Sequence, residues 1–164
     1  EDEVVEHELV SGIAYSRDEA KITLVKVADR PGVAARIFGP LADASVNVDM
    51  IVQNVSDDGK ATDLTFTVTR SDLERAVDII KQNKDDLGYQ DLASDSDVVK
   101  VSVIGVGMRS HAGVAQRMFK SLADEGINIQ VISTSEIKVS VLIAEEFTER
   151  AVRALHTVYG LDAE

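Results

Sequence analysis

The stretch GVAARIFGPLADASVN, residues 32–47, returns as GVAQRMFKSLADEGIN at residues 113–128, an ungapped offset of 81. Nine of the sixteen positions are identical: Gly32/Gly113, Val33/Val114, Ala34/Ala115, Arg36/Arg117, Phe38/Phe119, Leu41/Leu122, Ala42/Ala123, Asp43/Asp124 and Asn47/Asn128. Two more, Ile37/Met118 and Val46/Ile127, exchange one apolar side chain for another. Self-similarity of this density marks a duplicated structural unit.

Outward from the repeat, each copy reads in the same order. Ile22–Val27 and Val99–Ile104 are short Val/Ile-rich runs, which predicts strands. Turns follow at Asp29–Gly32 and Arg109–Gly113, and each opens a helix with apolar residues at three-and-four spacing: Val33, Ile37, Phe38 and Leu41, then Val114, Met118, Phe119 and Leu122. Gly39-Pro40 falls inside the first helix, where proline removes a backbone donor and predicts a kink or broken turn. Val46, Val48, Met50 and Val52 then alternate with Asn47, Asp49 and Gln53, and Ile127, Ile129 and Val131 with Asn128 and Gln130, the period of a strand with one buried face. The Asp57-Asp58-Gly59 hairpin turn leads to a third strand at Leu64, Phe66 and Val68, matched by Val139, Val141 and Ile143. A second helix opens with a capping box, Ser71-x-x-Glu74, and carries Leu73, Ala76, Val77 and Ile80 on one face. Its counterpart carries Phe147, Ala151 and Leu155.

The first copy finishes with a fourth strand near residues 88–93, followed by a Ser/Asp-rich linker at 91–97. The second ends at Gly160-Leu161 without room for one. Leu9, Ile13 and Tyr15 form an extra strand-like segment before the first copy, so residues 8–16 are expected to complete the second sheet. The fold class is therefore α+β, two ferredoxin-like βαββαβ domains with the first inserted into the second: residues 17–94 form one, residues 1–16 with 95–164 the other. That strand order gives an antiparallel sheet with both helices on one face. Units this small bury little surface alone, which predicts that they pair and dimerise.

Composition removes several function classes. Seventeen basic against 29 acidic residues leave a formal charge of −12, which repels phosphate backbones and argues against a nucleic-acid partner. RNA-recognition domains share the strand order but need stacking aromatics, whereas Asp63, Thr65 and Thr67 are the expected exposed sheet positions and aromatics are 4% of the chain. No cysteine is present, which excludes disulfides and thiol nucleophiles and fits a cytoplasmic setting. His7, His111 and His156 are scattered without metal-ligand spacing, and no apolar run approaches the length of a membrane span. Gly105-Val-Gly107 follows a strand, but Ser110 occupies the third glycine position of a dinucleotide loop. No phosphate-cradling loop and no Ser/His/Asp constellation is visible, so the chain is expected to have no catalytic residues, cofactor or metal. The acidic start at Glu1 is expected to be a cut from a longer protein.

The turn–helix junctions carry the chemistry that remains. Asp29-Arg-Pro-Gly32 sets a proline near a helix start and a glycine that allows close backbone approach. Unpaired helix N-terminal amides attract a carboxylate. The next strand offers Asn47, Asp49 and Gln53 from the face opposite the core, suited to an amino group or polar side chain.

Asp29–Gly32 resembles the loop-to-helix signature of the ACT domain. Together with VNVDMIVQN (46–54), MRSHAGV (108–114) and ISTSEIKVSVLI (132–143), it is similar to the C-terminal regulatory tandem of aspartate kinase, over about residues 8–160. The resemblance implies an allosteric module, separate from the kinase catalytic domain, that binds threonine, lysine or both for feedback inhibition of the aspartate-family pathway. It implies a first effector site of Asp29, Gly32, Ala34, Asn47, Val48, Asp49 and Gln53, completed across the ACT pairing by Asn128 and Ile129. A second site would use Met108, Ser110, His111, Gly113, Val114, Ser135 and Glu136. The competing reading is a stand-alone ACT-domain amino-acid sensor serving another enzyme or a transcription factor.

Overall fold

The computed structural model describes residues 10–28, 30–56, 58–105 and 111–161, with the side chains of His111 and Ala112 left out. His7, Leu9, Asp29, Asp57, Gly107, Met108, Arg109 and Ser110, singled out above, lie outside the described residues. Two compact units result: Asp18–Ser96, and Asp97–Glu164 together with Glu1–Arg17. Strands β1 (Val10–Ala28) and β4 (Asp91–Gly105) each contribute one part to one unit and one to the other.

The unit Asp18–Ser96 contains the second part of β1, helix α1 (Val33–Asp43), β2 (Asp49–Val55), β3 (Ala61–Val68), a 3-10 turn (Arg70–Asp72), α2 (Leu73–Gln82), the short α3 (Lys84–Leu87) and the start of β4. Its strands lie in the order β2-β3-β1-β4, the antiparallel ladders setting Ile22 opposite Phe66 and Gln53 opposite Leu64. The three-and-four spacing of α1 buries Ile37 and Leu41 against Ile22, Leu24, Leu64 and Phe66 of the sheet. Phe38 meets Phe66 edge-on, with centroids 5.2 Å apart. A fully buried side chain of this size contributes roughly 1.5–3 kcal/mol.

The other unit contains the first part of β1, the rest of β4, α4 (His111–Asp124), β5 (Val131–Thr134), β6 (Lys138–Ala144), a 3-10 turn (Glu145–Phe147) and α5 (Thr148–Val158), with strand order β1-β4-β6-β5. Val99, Val101 and Val103 of β4, with Val139, Val141 and Ile143 of β6, face Val114, Met118 and Leu122 of α4 and Ala151 and Leu155 of α5. Both units thus have the ferredoxin-like arrangement, each closed by a strand from a distant part of the chain. Ser11 Oγ donates to the Ile104 carbonyl (3.2 Å) across the closing pair of the second unit.

Several local expectations give way. Residues 91–97 are not a loop linker but part of strand β4, and the polar residues 17–21 belong to β1; hydrogen bonding to a neighbouring strand overrides weak strand propensity. Helix α1 runs through Pro40 unbroken. The Ser71/Glu74 capping box does not form, because Ser71 lies in the 3-10 turn before α2. Instead Thr69 Oγ1 donates to the Asp72 carboxylate at 3.1 Å. Asn47, Val48, Asn128 and Ile129 precede their strands instead of lying in them. Helix α4 starts at His111, so His111 and Gly113 are helical, not turn residues. The expected alternation of β2 ends at Met50, whose φ of 46° accompanies a register shift between Asp49 and Val52. Beyond that bulge every side chain of β2 is exposed, Val52 included. Thr67, expected on an exposed face, is fully buried.

Candidate functional site

In the unit Asp18–Ser96, the first strand ends at Ala28 and Gly32 supplies the N-cap of α1 with φ 90°, a left-handed backbone that disfavours side chains. Ala34 sits in the first turn of that helix and both residues are exposed. Strand β2 is an edge strand, running in the direction of β1 because both are antiparallel to β3. Gln53 lies opposite Leu64, itself opposite Leu24, toward the end of the sheet where α1 begins. Asp49 lies opposite Thr67, itself opposite Lys21, toward the other end. At roughly 3.3 Å per residue, about 13 Å of strand separates the two. The fold therefore draws Gly32, Ala34 and Gln53 toward one corner and leaves Asn47, Val48 and Asp49 at the opposite end of the edge. Asn47, Asp49 and Gln53 are exposed, Val48 is half-buried against the core, and the Asp49 carboxylate accepts the Met50 amide at 2.8 Å.

The second unit repeats the geometry. The β5–β6 hairpin carrying Ser135 and Glu136 is closed by the Ser135 amide on the Lys138 carbonyl, and the Gly105 amide donates to the Ile137 carbonyl (both 2.8 Å). Ser135 and Glu136 thus stand exposed at the end of the sheet where the strand preceding α4 finishes, the end that holds His111 and Gly113. Val114 is buried, and its carbonyl accepts the Tyr159 hydroxyl. Asn128, exposed, and Ile129, half-buried, lie toward the other end, before β5.

Among the described residues, cavities of about 480, 570 and 390 Å³ are lined by side chains other than these. Of the candidate residues, Asp49 and Gln53 lie on the edge strand β2 and Ser135 and Glu136 in the β5–β6 hairpin, beside apolar side chains that sequence reasoning missed: Ile51 and Val55 on β2, Ile132 on β5 and Ile137 in the hairpin, each 45–53% exposed. The available signal was the run Ile51-Val52, since adjacent apolar residues in a strand must point to opposite faces. Near the first corner, the Asp58 carboxylate accepts Ser56 Oγ at 2.6 Å and the Lys60 amide at 3.0 Å. The serine bond first, and the amide second, hold its pKa below the ordinary carboxylate value.

These two units are ACT domains: that family matches residues 21–85 and 101–159. The aspartokinase of Pseudomonas aeruginosa is 58% identical over 163 residues, covering 99% of this chain and 39% of that protein. Among solved structures, the regulatory subunit of aspartate kinase from Thermus thermophilus in its ligand-free form superposes with a TM-score of 0.86 at 36% identity, covering 92% of this chain and 98% of that one. A chain from a structure of aspartokinase alpha and beta subunits gives the same TM-score at 49% identity, covering 92% and 99%. The chain belongs to the aspartate kinase family, as its regulatory ACT-domain tandem. It spans 39% of the length of the curated relative.

Proposed function

We propose that the chain is the feedback sensor of an aspartate kinase, binding threonine or lysine between ACT domains of two paired copies. The carrying observation is the repeated corner: exposed polar groups at a turn–helix junction and edge strand, flanked by exposed apolar residues at Ile51, Val55, Ile132 and Ile137. Such an edge is half a site. A second copy against it would cover the apolar side chains and form the missing wall, with Asn128 and Ile129 of one copy facing Asp29, Gly32 and Gln53 of the other. The amino acid's carboxylate would meet helix N-terminal amides and its ammonium group the amide and carboxylate side chains. Occupancy would favour the paired arrangement that disfavours the active kinase domain, reducing flux into the aspartate family of amino acids in the cytoplasm. Catalysis would reside in the kinase portion, and this chain would act by binding. Calorimetric titration with threonine, lysine and methionine, paired with sedimentation, tests the reading. Binding of threonine or lysine with dimer formation is expected, and heats no larger than those of methionine would refute it.

A further inference from the structure

In the unit holding the second ACT domain, a cavity of about 390 Å³ opens between β1 and α5, with Tyr15 and Arg17 on one side and Glu149, Val152, Arg153 and His156 among the residues on the other. Residues two apart on a strand share a face, and residues spaced by three, four and seven share one side of a helix, so local geometry sets both rows. Ala151 and Leu155 hold α5 to the core from its other side. Tyr15 is 53% exposed, the one exposed aromatic side chain among the described residues. An exposed ring forgoes the stabilisation that burial gives. This ring is held in place: the Arg17 guanidinium lies 5.9 Å from its centroid and reaches the Glu145 carboxylate at 4.0 Å.

Glu149 and Arg153 stand four residues apart on α5, in the order that ordinarily favours an ion pair along a helix. Roughly 6 Å of helix axis separates them, yet neither has an ion-pair or hydrogen-bond partner among the described residues. A carboxylate and a guanidinium thus line one cavity without neutralising each other. That pattern is complementary to a zwitterion, and Tyr15 and Val152 supply apolar surface beside it. The volume falls within the roughly 300–1,000 Å³ of small-molecule sites. The duplication supplies an internal comparison. Ala76 and Ile80 of α2 take the places of Ala151 and Leu155 in the first core, so Glu74, Val77, Asp78 and Lys81 correspond to Glu149, Val152, Arg153 and His156. The acid and the valine recur, but Asp78 puts a carboxylate where the second copy has the guanidinium.

We propose that this cavity binds a free amino acid with an aromatic side chain, its ammonium group on Glu149, its carboxylate on Arg153 and His156, and its ring against Tyr15 and Val152. The site shares no residue with the candidate effector corners and does not rest on the effector reading. The test is an NMR titration of the chain with L-phenylalanine. Saturable shifts are expected at the Tyr15 ring, the Val152 methyls and the His156 ring, and not at Val77 of the first copy. Phenylpropionate, which keeps the ring and carboxylate but lacks the ammonium group, should bind at least tenfold more weakly, and Glu149→Gln should remove that difference. Arg153→Asp, which writes the first copy's residue into the second, should weaken phenylalanine binding at least tenfold. Arg153→Gln serves as the second variant should the aspartate disturb folding, and should act in the same direction. Shifts linear in concentration, shifts equal at Val77, saturation unchanged in both Arg153 variants, or equal affinity for phenylpropionate would overturn the proposal.

Discussion

The Tyr159 hydroxyl donates a hydrogen bond to the Val114 carbonyl, tying the residue after α5 to the first turn of α4 inside the core of the second ACT domain. The ring is 1% exposed, so burial and the hydrogen bond are separable contributions. Tyr159→Phe should keep the fold and lower stability by about 1 kcal/mol, the net worth of one such bond. Tyr159→Ala should cost about 3–5 kcal/mol by emptying the ring's volume. Denaturant midpoints at an unchanged slope check both, and equal stability of wild type and Tyr159→Phe would show that the bond contributes nothing.

Ser45 and Gly126 occupy the same place in the repeat, just past the first helix of each domain, and both have left-handed backbones, with φ of 63° and 74°. Val46 and Ile127 donate back to the Leu41 and Leu122 carbonyls (both 2.9 Å), the closing bond of a Schellman motif. Glycine takes this conformation without strain, whereas a residue with a Cβ is penalised by roughly 1–2 kcal/mol. Ser45→Gly should therefore raise the melting temperature and Gly126→Ser should lower it. Shifts of the same sign in thermal melts of the two variants would contradict the assignment.

Removing residues 1–16 takes away the strand segment that lies beside β4 in the second ACT domain and leaves a sheet edge unpaired. Hydrogen exchange should then accelerate in Val139–Ile143 and Val99–Ile104 more than in Leu64–Val68. Equal acceleration everywhere would mean that the segment does not belong selectively to the second sheet.

Gln53 and Asn128 are exposed, so truncating either should leave the unliganded melting temperature nearly unchanged. Gln53→Ala and Asn128→Ala should each weaken threonine or lysine binding by about 1–3 kcal/mol, the cost of leaving a buried polar partner unsatisfied. The contrasting variant is Val46→Ala. That side chain is 3% exposed in the core, and its truncation should lower melting by roughly 2 kcal/mol of stability. Calorimetry on all three separates the roles, and undiminished binding in both polar variants would dismiss this site assignment.

Asp58 titrates below the ordinary carboxylate range because Ser56 and Lys60 hydrogen-bond its charged form. A folded-state pKa below the unfolded one gives stability that is present above the unfolded value and is lost as pH falls through the folded one. The stability difference between wild type and Asp58→Asn should accordingly be steady near neutral pH and shrink in acid. Urea midpoints measured across that range check the sign, and a difference that grows in acid would reverse it.

Periodicity and self-similarity alone determined the duplication, the two helices and third strand of each copy, and the apolar faces they bury. The reason is that three-and-four spacing around Ile37 or Met118, and alternation around Phe66 or Val141, are written within a few neighbouring residues. The candidate corners were legible as residue types, but their spread was not, because the distance between Asp49 and Gln53 from Gly32 depends on which strand lies beside which. Tertiary structure alone decided that the polar residues 91–97 are strand: their neighbouring strand β1 is more than sixty residues away in the chain. It alone decided that Val52 leaves the core face after the Met50 bulge, since one positive φ there shifts the register against β3. It alone set Tyr15 and Arg17 of β1 beside Glu149 and Arg153 of α5, because packing between distant elements is a contact that no local pattern encodes.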